Sequence, residues 1–219
     1  HGIGMGLGLG WDWEGIPLPF LSSTSPIQPK HTKSEKNIEK NININEASID
    51  SRKIKKNNIF FGIKGKNFDG NKFVNQAFKN GASISINENK KKNFKNDICV
   101  KNSLSTFLEI AKQVRASSNI SSIAKTGSSG KTSLKEMLGQ MMSKICQTSY
   151  SKKSFNNKYG VPISLFNINK EDKIGIFEVG MDKKGEIDFL TKKIMPNIGV
   201  ITNISYAHIK NFKNLKGIA

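Results

Sequence analysis

A glycine-rich stretch between an apolar run and a helical pattern constrains the fold of this chain most. The stretch occupies residues 126–133 (TGSSGKTS) and follows the apolar run of residues 120–124. A strand, a glycine-rich turn, a lysine, a hydroxyl and a helix in this order are typical of a phosphate-binding loop. Glycines let the backbone approach phosphate oxygens, and the amides and dipole at a helix start attract an anion. The stretch therefore predicts a nucleotide site between a strand and a helix.

One position of this loop departs from the strict motif. The motif places a glycine five positions before the Gly130-Lys131 pair, and Lys125 stands there instead. The alternative interpretation is a glycine-rich turn with an incidental lysine. In a nucleotide site, Lys131 would supply a point charge to the β- and γ-phosphates, and the Thr132 hydroxyl would ligate Mg²⁺. The residues around the loop favour the nucleotide site over the incidental turn.

Apolar side chains recur at three- and four-residue spacing after the loop. This periodicity predicts an amphipathic helix with one apolar stripe. The residues of the stripe are Leu134, Met137, Leu138, Met141, Met142 and Ile145.

The composition predicts a globular chain of one or two ordinary domains. It has 219 residues, of which 36% are hydrophobic, and a net charge of +18. A strongly basic chain is compatible with nucleic acid or an acidic membrane surface. Lysine is spread along the whole chain and arginine is nearly absent, so we expect no dedicated nucleic-acid face. The positive field would also attract phosphorylated substrates.

Cysteine usage and hydropathy indicate the compartment. Cys99 and Cys146 are far apart in sequence, and the sequence contains no paired-cysteine metal spacing. No apolar run is long enough to span a membrane. We therefore expect a reduced, cytoplasmic chain without membrane insertion.

The order of patterns predicts an extension followed by two α/β domains. Residues 1–40 combine a glycine-rich start, which lacks an initiator methionine and a basic leader, with a polar run, and predict a disordered or atypical extension and linker. Residues 41–102 alternate strand, loop and helix patterns, which indicates a small α/β domain. Residues 103–219 predict an incomplete P-loop domain with a parallel sheet and helices on both faces. Its first helix carries one apolar stripe, formed by Leu104, Phe107, Leu108, Ala111 and Val114.

Two candidate metal ligands follow predicted strands of this second domain. Glu178 lies near the end of the buried run of residues 174–180, and His208 follows the run of residues 198–203. Ligands of a parallel sheet bind beyond the carboxyl ends of its strands. We therefore expect Glu178 to hold Mg²⁺, although a polar residue that closes a strand is the alternative. A lone histidine is more often structural, but neutral imidazole is a good ligand for a second metal.

Together, these residues resemble the Mur ligases, the ATP-dependent amide-forming enzymes of peptidoglycan synthesis. The resemblance extends from about residue 45 to the end of the sequence. Residues 50–52 (DSR) and the loop of residues 64–70 resemble the first domain of the family. The matching segments of the second domain are residues 126–137 (TGSSGKTSLKEM), 156–157 (NN), 160–162 (GVP), 178–180 (EVG), 185–187 (GEI) and 207–208 (AH).

The resemblance implies a role for each matched residue. The UDP end of the substrate would contact Ser51 and Arg52, in a pocket shaped by Lys64, Gly65, Asp69 and Gly70. ATP would bind to Gly127, Ser128, Ser129, Gly130, Lys131, Thr132, Ser133, Asn156 and Asn157. Thr132 and Glu178 would hold one Mg²⁺, and His208 would help to hold a second. The catalytic residues would be Lys131, Glu178 and His208.

Alternative interpretations exist for residues 50–52 as a set, for Asp50 and for Asn203. Residues 50–52 also fit an ordinary polar turn, and Asp50 is better suited to brace that loop than to bind substrate. Asn203 could support the nucleotide pocket or cap its own strand.

Within the family, the chain resembles most the ligase that joins D-alanyl-D-alanine to UDP-N-acetylmuramoyl-tripeptide. The implied reaction moves the γ-phosphoryl group of ATP to the free carboxylate of the tripeptide, which gives an acyl phosphate. The amine of D-alanyl-D-alanine then attacks, phosphate leaves and the amide forms. The resemblance implies a monomer that uses these two substrates and no nucleic acid.

Several departures from the family pattern leave other functions open. Lys153 and Ser154 stand where the family usually has Gly-Asn, and Asn71 stands where histidine is frequent. The sequence stops before the modified lysine, the rest of the ATPase domain and the third domain, so we expect a fragment that is inactive alone. The alternatives are a ligase of the MurE type, a folylpolyglutamate synthase, which residues 50–52 disfavour, and a P-loop or basic nucleic-acid-binding module without ligase activity.

Overall fold

The computed structural model of the 219-residue chain describes residues 44–90, 94–151 and 153–206. The chain divides into two compact units between Ile110 and Ala111, a position that lies within the helix Ser103–Ser117. The boundary predicted from the sequence, between residues 102 and 103, stays a prediction. The extension predicted for residues 1–40 lies outside the described residues.

The first unit contains a four-stranded sheet with the order β1-β2-β3-β4, in which all neighbours are parallel. A short helix, α1 (Val74–Lys79), connects β2 to β3. Two 3₁₀ turns, Ser51–Lys53 and Gly70–Phe73, precede β2 and α1. The strands are β1 (Ala47–Ser48), β2 (Asn58–Phe61), β3 (Ala82–Asn87) and β4 (Asp97–Cys99).

Strand β2 is the centre of the first unit, and every one of its residues is buried. Successive side chains of a strand point to opposite faces of the sheet. Phe60 belongs to a core cluster with Ile54, Val74, Ala77 and Ala82. Phe61 instead contacts the ring of Phe107, with 4.4 Å between the ring centroids. Burial on both faces explains why residues 59–61 of β2 form a continuous apolar run rather than an alternating pattern.

The second unit contains a parallel four-stranded sheet with the order β6-β7-β5-β8. Its strands are β5 (Ser121–Thr126), β6 (Thr148–Tyr150), β7 (Ile174–Glu178) and β8 (Ile198–Ile201). The helices after α1 are α2 (Ser103–Ser117), α3 (Lys131–Met142), α4 (Gly160–Phe166) and α5 (Glu186–Ile194). Because β5 lies between β7 and β8, the carboxyl ends of these three strands meet at one edge of the sheet.

The parallel α/β architecture predicted from the sequence is confirmed. The strands predicted from the apolar runs of residues 120–124, 174–180 and 198–203 correspond to β5, β7 and β8. Four residues of the predicted α2 stripe, Phe107, Leu108, Ala111 and Val114, are buried. The short strands β1 and β6 were not predicted, because two or three residues carry no periodicity. In the described ranges, no helix is long and apolar enough to cross a membrane.

The apolar stripe predicted for α3 is only partly buried, since Leu134, Leu138 and Met142 are half-buried. Met137 and Met141 are exposed, and so is Ile145, which lies beyond the end of the helix. The buried residues of α3 are Lys135 and Gly139. A Cβ atom on Gly139 would lie 2.5 Å from the ring of Tyr150 in β6, so the helix approaches the sheet too closely for any larger residue. Close packing against the sheet therefore requires glycine at this position.

A buried guanidinium joins α2, β5 and the end of α5 in the second unit. Arg115 Nε donates to the carbonyl oxygen of Ile194 at 2.8 Å, and Nη2 donates to that of Met195 at 3.1 Å. Nη2 also donates to Ser122 Oγ at 2.7 Å. Burial lowers the pKa of Arg115 below its ordinary value. The side chain thus satisfies carbonyls at the end of α5 that have no partner within the helix.

We expect Arg115→Met to lower the free energy of unfolding by about 2–4 kcal/mol, because buried carbonyls lose charged donors. Urea unfolding followed by circular dichroism measures the change. The control is Lys192→Met, which removes an exposed cation that contacts Asp188 at 2.7 Å. A surface ion pair contributes about 0–1 kcal/mol. Equal losses in the two variants would contradict a capping role for Arg115.

Candidate active site

The loop after β5 has a backbone that requires glycine at two positions. Gly127 has a φ of 139° and Gly130 a φ of 76°, both in the region that L-residues rarely adopt. Gly130 is the residue before the first turn of α3. A Cβ atom on Gly127 would collide with the side chain of Thr202 and lie 3.0 Å from the backbone of Asn203. The loop is therefore folded tightly against the segment that follows β8.

The segment after β8 holds the loop through hydrogen bonds. Thr202 Oγ1 donates to the carbonyl oxygen of Ser129 at 2.6 Å. The side-chain oxygen of Asn203 accepts the amide of Ser129 at 2.9 Å, and its carbonyl accepts the amide of Ser128 at 3.0 Å. Two amides of the loop are thus bonded to protein, so Asn203 supports the loop rather than only capping its strand.

The first turn of α3 supplies the amides for an anion. The first hydrogen bond of the helix runs from the amide of Leu134 to the carbonyl of Gly130 at 3.0 Å. The amides of Lys131, Thr132 and Ser133 precede it and have no acceptor within the helix. Lys131 Nζ folds back over the loop and donates to the carbonyl of Gly127 at 2.5 Å. This arrangement presents positive charge and backbone donors to a phosphate group.

Glu178 lies at the end of β7 and brings together three predicted site residues. Its side chain is 1% exposed. Oε2 accepts the hydroxyl of Thr132 at 3.1 Å, and Oε1 accepts the amide of Asn156 at 3.0 Å. Burial of a carboxylate is costly unless donors surround it, and α3 and the loop before α4 each supply one.

The oxygens around Glu178 fit a magnesium ion. Carboxylate and hydroxyl oxygens are the hard ligands that Mg²⁺ prefers, and the ion takes its other ligands from water and phosphate. Thr132 and Glu178 provide one oxygen of each kind beside the anion-binding amides. They are the residues that would hold the ion, and it would neutralise charge on the phosphates.

A lysine lies buried beneath this carboxylate. Lys125, in β5, has its Nζ 3.9 Å from Glu178 Oε2, and its side chain is fully buried. Within the described ranges, this Nζ has no hydrogen-bond partner. Burial lowers the pKa of Lys125 to about 8, while Glu178 acts in the opposite direction. The sequence marked this position only as a departure from the strict motif.

A cavity of about 480 Å³ adjoins the loop in the second unit. Lys131 and Asn156 line it, together with Gly180, Glu186 and Phe189 from the segments after β7. Its volume is within the range of small-molecule sites. It offers room for a substrate group next to the residues that contact Glu178.

The structure gives a different result for each of three further predicted site residues, Asn157, Ser133 and His208. Asn157 lines the cavity, but its side-chain oxygen accepts the amides of Tyr159 and Gly160 and thereby begins α4. Ser133 is exposed on the first turn of α3. His208 lies outside the described residues. Among the residues that the structure describes, no group of three His, Cys, Asp or Glu side chains is placed to hold a metal.

The candidate substrate residues of the first unit form two turns. Asp50 accepts the backbone amide of Arg52 at 3.1 Å and its Nε at 2.9 Å, and these contacts with Arg52 lower the pKa of Asp50 to about 2. Ser51 is buried, while the Arg52 side chain is 86% exposed. The carboxylate thus braces the turn and orients a guanidinium that faces solvent.

The second turn lies between β2 and α1. Lys64 and Asp69 form an antiparallel bridge, and the amide of Gly65 donates to Phe68 inside it. Asp69 accepts the backbone amide of Asn71 at 3.1 Å, a contact that caps the 3₁₀ turn. A Cβ atom on Gly70 would lie 2.7 Å from the backbone of Ile63, so this position also requires glycine.

Comparison with known families assigns both units. The pattern of the Mur ligase family, catalytic domain, matches residues 43–145, and that of the Mur ligase middle domain matches residues 126–219. The chain belongs to the Mur ligase family. Both matches include the loop of residues 126–133, and the second extends over Glu178.

Individual relatives agree with this membership. The UDP-N-acetylmuramoyl-tripeptide–D-alanyl-D-alanine ligase of Buchnera aphidicola subsp. Baizongia pistaciae is 39% identical over 81% of this chain and 39% of its own length. MurF from Acinetobacter baumannii has a TM-score of 0.73 at 33% identity, with 80% of this chain and 39% of that chain covered. The MurF ligase of Thermotoga maritima, solved in complex with ADP, has a TM-score of 0.70 at 29% identity, over 79% of this chain and 40% of that one. The chain thus spans about two fifths of the length of the relatives it matches.

Two contributors to the Mur-type site were missed in the sequence. Thr202 follows β8 at the edge where ligands of a parallel sheet bind, and that position was the available signal. Lys135 is fully buried in α3, and its Nζ donates to the carbonyl of Lys153 at 3.0 Å and lies 3.1 Å from Glu136. A lysine inside an apolar pattern gives no such signal.

We expect Gly127→Ala to lower the free energy of unfolding by about 1–3 kcal/mol, since the new methyl group strains the backbone and strikes the segment after β8. Gly199→Ala is the matched control, because a Cβ atom there meets no atom within 4 Å. Thermal unfolding of both variants measures the difference. The same small effect at both positions would show that the Gly127 backbone is free to move.

Proposed function

We propose that this chain forms the substrate-binding and nucleotide-binding parts of a ligase that joins D-alanyl-D-alanine to UDP-N-acetylmuramoyl-tripeptide. The observation that carries the proposal is the convergence of Thr132, Asn156 and Glu178 at a phosphate-binding loop. The name of the Buchnera relative supports the choice of reaction, since that protein is a UDP-N-acetylmuramoyl-tripeptide–D-alanyl-D-alanine ligase.

ATP is the nucleotide that this proposal assigns to the loop. The first-turn amides of α3 and Lys131 would bind its phosphates, and Thr132 with Glu178 would hold Mg²⁺ beside them. The ADP in the Thermotoga structure supports the choice of an adenine nucleotide. The positive charge of the chain favours a substrate that carries several phosphates.

The reaction needs activation because a carboxylate is a poor electrophile. The γ-phosphoryl group moves to an oxygen of the tripeptide carboxylate, ADP leaves and an acyl phosphate forms. The amine of D-alanyl-D-alanine attacks the acyl carbon, loses a proton and expels inorganic phosphate. Lys131 and the loop amides would meet the charge that develops on the phosphoryl oxygens. The cavity lined by Asn156 and Glu186 would admit the carboxylate end of the tripeptide.

We further propose that the protein acts in the cytoplasm as a monomer and contributes to the cell wall. The UDP end of its substrate would bind to the first unit, at Ser51 and Arg52. The pocket would be completed by the turn that contains Lys64, Gly65, Asp69 and Gly70. An exposed guanidinium beside a braced turn is suited to a diphosphate, because its planar fork binds two phosphate oxygens at once.

Phosphate release tests the proposed reaction in the protein encoded by the complete reading frame that contains this sequence. We expect release from ATP only when UDP-N-acetylmuramoyl-tripeptide and D-alanyl-D-alanine are both present. Lys131→Met is expected to lower kcat at least about 100-fold, because charge at the phosphoryl group loses its cation. Lys192→Met, on the surface of α5, is the control.

Other outcomes would change the assignment. Release that needs the UDP-linked dipeptide and a free diamino acid would indicate a ligase of the MurE type. No release with either pair of substrates would leave a nucleotide-binding module and remove the ligase reaction.

UDP binding tests the first unit separately. We expect Arg52→Gln to raise the Kd for UDP about tenfold, because one charge-assisted contact with the diphosphate is lost. Lys53→Gln is the control, since Lys53 is an exposed cation on the same turn that lies 3.5 Å from Asp50. Isothermal titration calorimetry on the 219-residue chain measures both. Equal losses would indicate a general charge effect rather than a specific contact.

A further inference from the structure

Lys125 is a buried cation that the proposed reaction does not use. It is the penultimate residue of β5 and directly precedes the loop of residues 126–133, and its carbonyl accepts the amide of Val179 at 2.8 Å. This backbone bond ties it to the strand that carries Glu178. Within the described part of the chain, its ammonium makes no hydrogen bond, and Glu178 lies 3.9 Å away. A buried ammonium without a hydrogen bond is costly, so its charge has to be compensated by that of Glu178.

Different groups orient the Glu178 carboxylate and neutralise its charge. Thr132 and Asn156 each donate to one carboxylate oxygen at 3.0–3.1 Å, so the carboxylate is oriented without Lys125. The distance of 3.9 Å is too long for a hydrogen bond. Lys125 therefore acts on Glu178 through its charge alone, from the neighbouring strand β5.

The same charge acts on whatever binds at the loop. Lys131 and Lys135 are close enough for their charges to disfavour the protonated form of Lys125. A divalent metal at Glu178 would be repelled by this fixed ammonium, whereas a phosphate at the loop would be attracted by it. The two ligands thus respond to Lys125 with opposite signs.

We infer that Lys125 is a fixed counter-cation of the nucleotide site. Its ammonium competes with a metal ion for the negative charge of Glu178, so Lys125 weakens metal binding. It also strengthens the binding of nucleotide that arrives without metal. The inference rests on the proposed nucleotide site. Lys125 makes no contact with the reacting atoms and acts on the site only through its positive charge. It gives the site a partial positive charge that does not depend on the metal concentration.

Lys125→Met tests this inference, because methionine retains most of the side-chain volume and removes the charge. With Mn²⁺ alone as probe at pH 7, monitored by electron paramagnetic resonance, we expect the variant to bind the metal about tenfold more tightly. With ATP in excess EDTA, monitored by calorimetry, we expect it to bind the nucleotide about tenfold more weakly. Opposite changes of this kind cannot come from structural damage, which would weaken both.

Two controls accompany the test in the 219-residue chain. Lys192→Met removes one exposed cation and should change neither affinity. Glu178→Gln removes the carboxylate that Lys125 faces. In that background, Lys125→Met should tighten Mn²⁺ binding less than it does in the wild-type chain. Thermal unfolding checks that Lys125→Met folds, and we expect its Tm to fall because the buried carboxylate of Glu178 loses its counter-cation.

The outcomes distinguish this inference from the proposed function. Weaker Mn²⁺ binding by Lys125→Met, or no change in either affinity, would overturn the role of Lys125 while the nucleotide site stands. Failure of the wild-type chain to bind either Mn²⁺ or ATP would overturn the nucleotide site, and the inference with it.

Discussion

Glu178 is a carboxylate almost without contact with water, and its neighbours explain much of the second unit. Thr132 comes from the first turn of α3, Asn156 from the loop before α4, and Lys125 from the adjacent strand. A buried carboxylate is stable only when such groups are in place. They converge only if β5 and β7 are neighbours in the sheet, as the register of Lys125 opposite Glu178 shows. Folding of this unit and assembly of its site are therefore one event.

Much of the site could be predicted because its signals are local in sequence. The glycines at positions 127 and 130 identify a backbone that other residues cannot adopt, and both have positive φ values. Glu178 was predicted from its place at the end of a strand, and the parallel sheet brings it to Thr132 by topology alone. In the first unit, Asp50 was predicted to brace its turn, and it does so by accepting donors from Arg52.

The remainder depends on distances between elements, which periodicity does not contain. The buried face of α3 is set by how closely the helix approaches Tyr150, so Gly139 faces the sheet while Met137 and Met141 remain outside. Lys135 is buried because a carbonyl from a distant loop accepts its ammonium. Nothing in the neighbouring sequence reports that carbonyl, so the sequence pattern could not identify Lys135 as a buried residue.

The hydrogen bonds between Thr202, Asn203 and Ser129 link the loop to the chain that leaves β8. A ligand that orders the loop must also favour the bonded arrangement of the segment after β8, and by thermodynamic reciprocity an ordered segment must raise the affinity for that ligand. Any group that packs on residues 202–203 would thereby change the affinity of the loop for its ligand without touching that ligand.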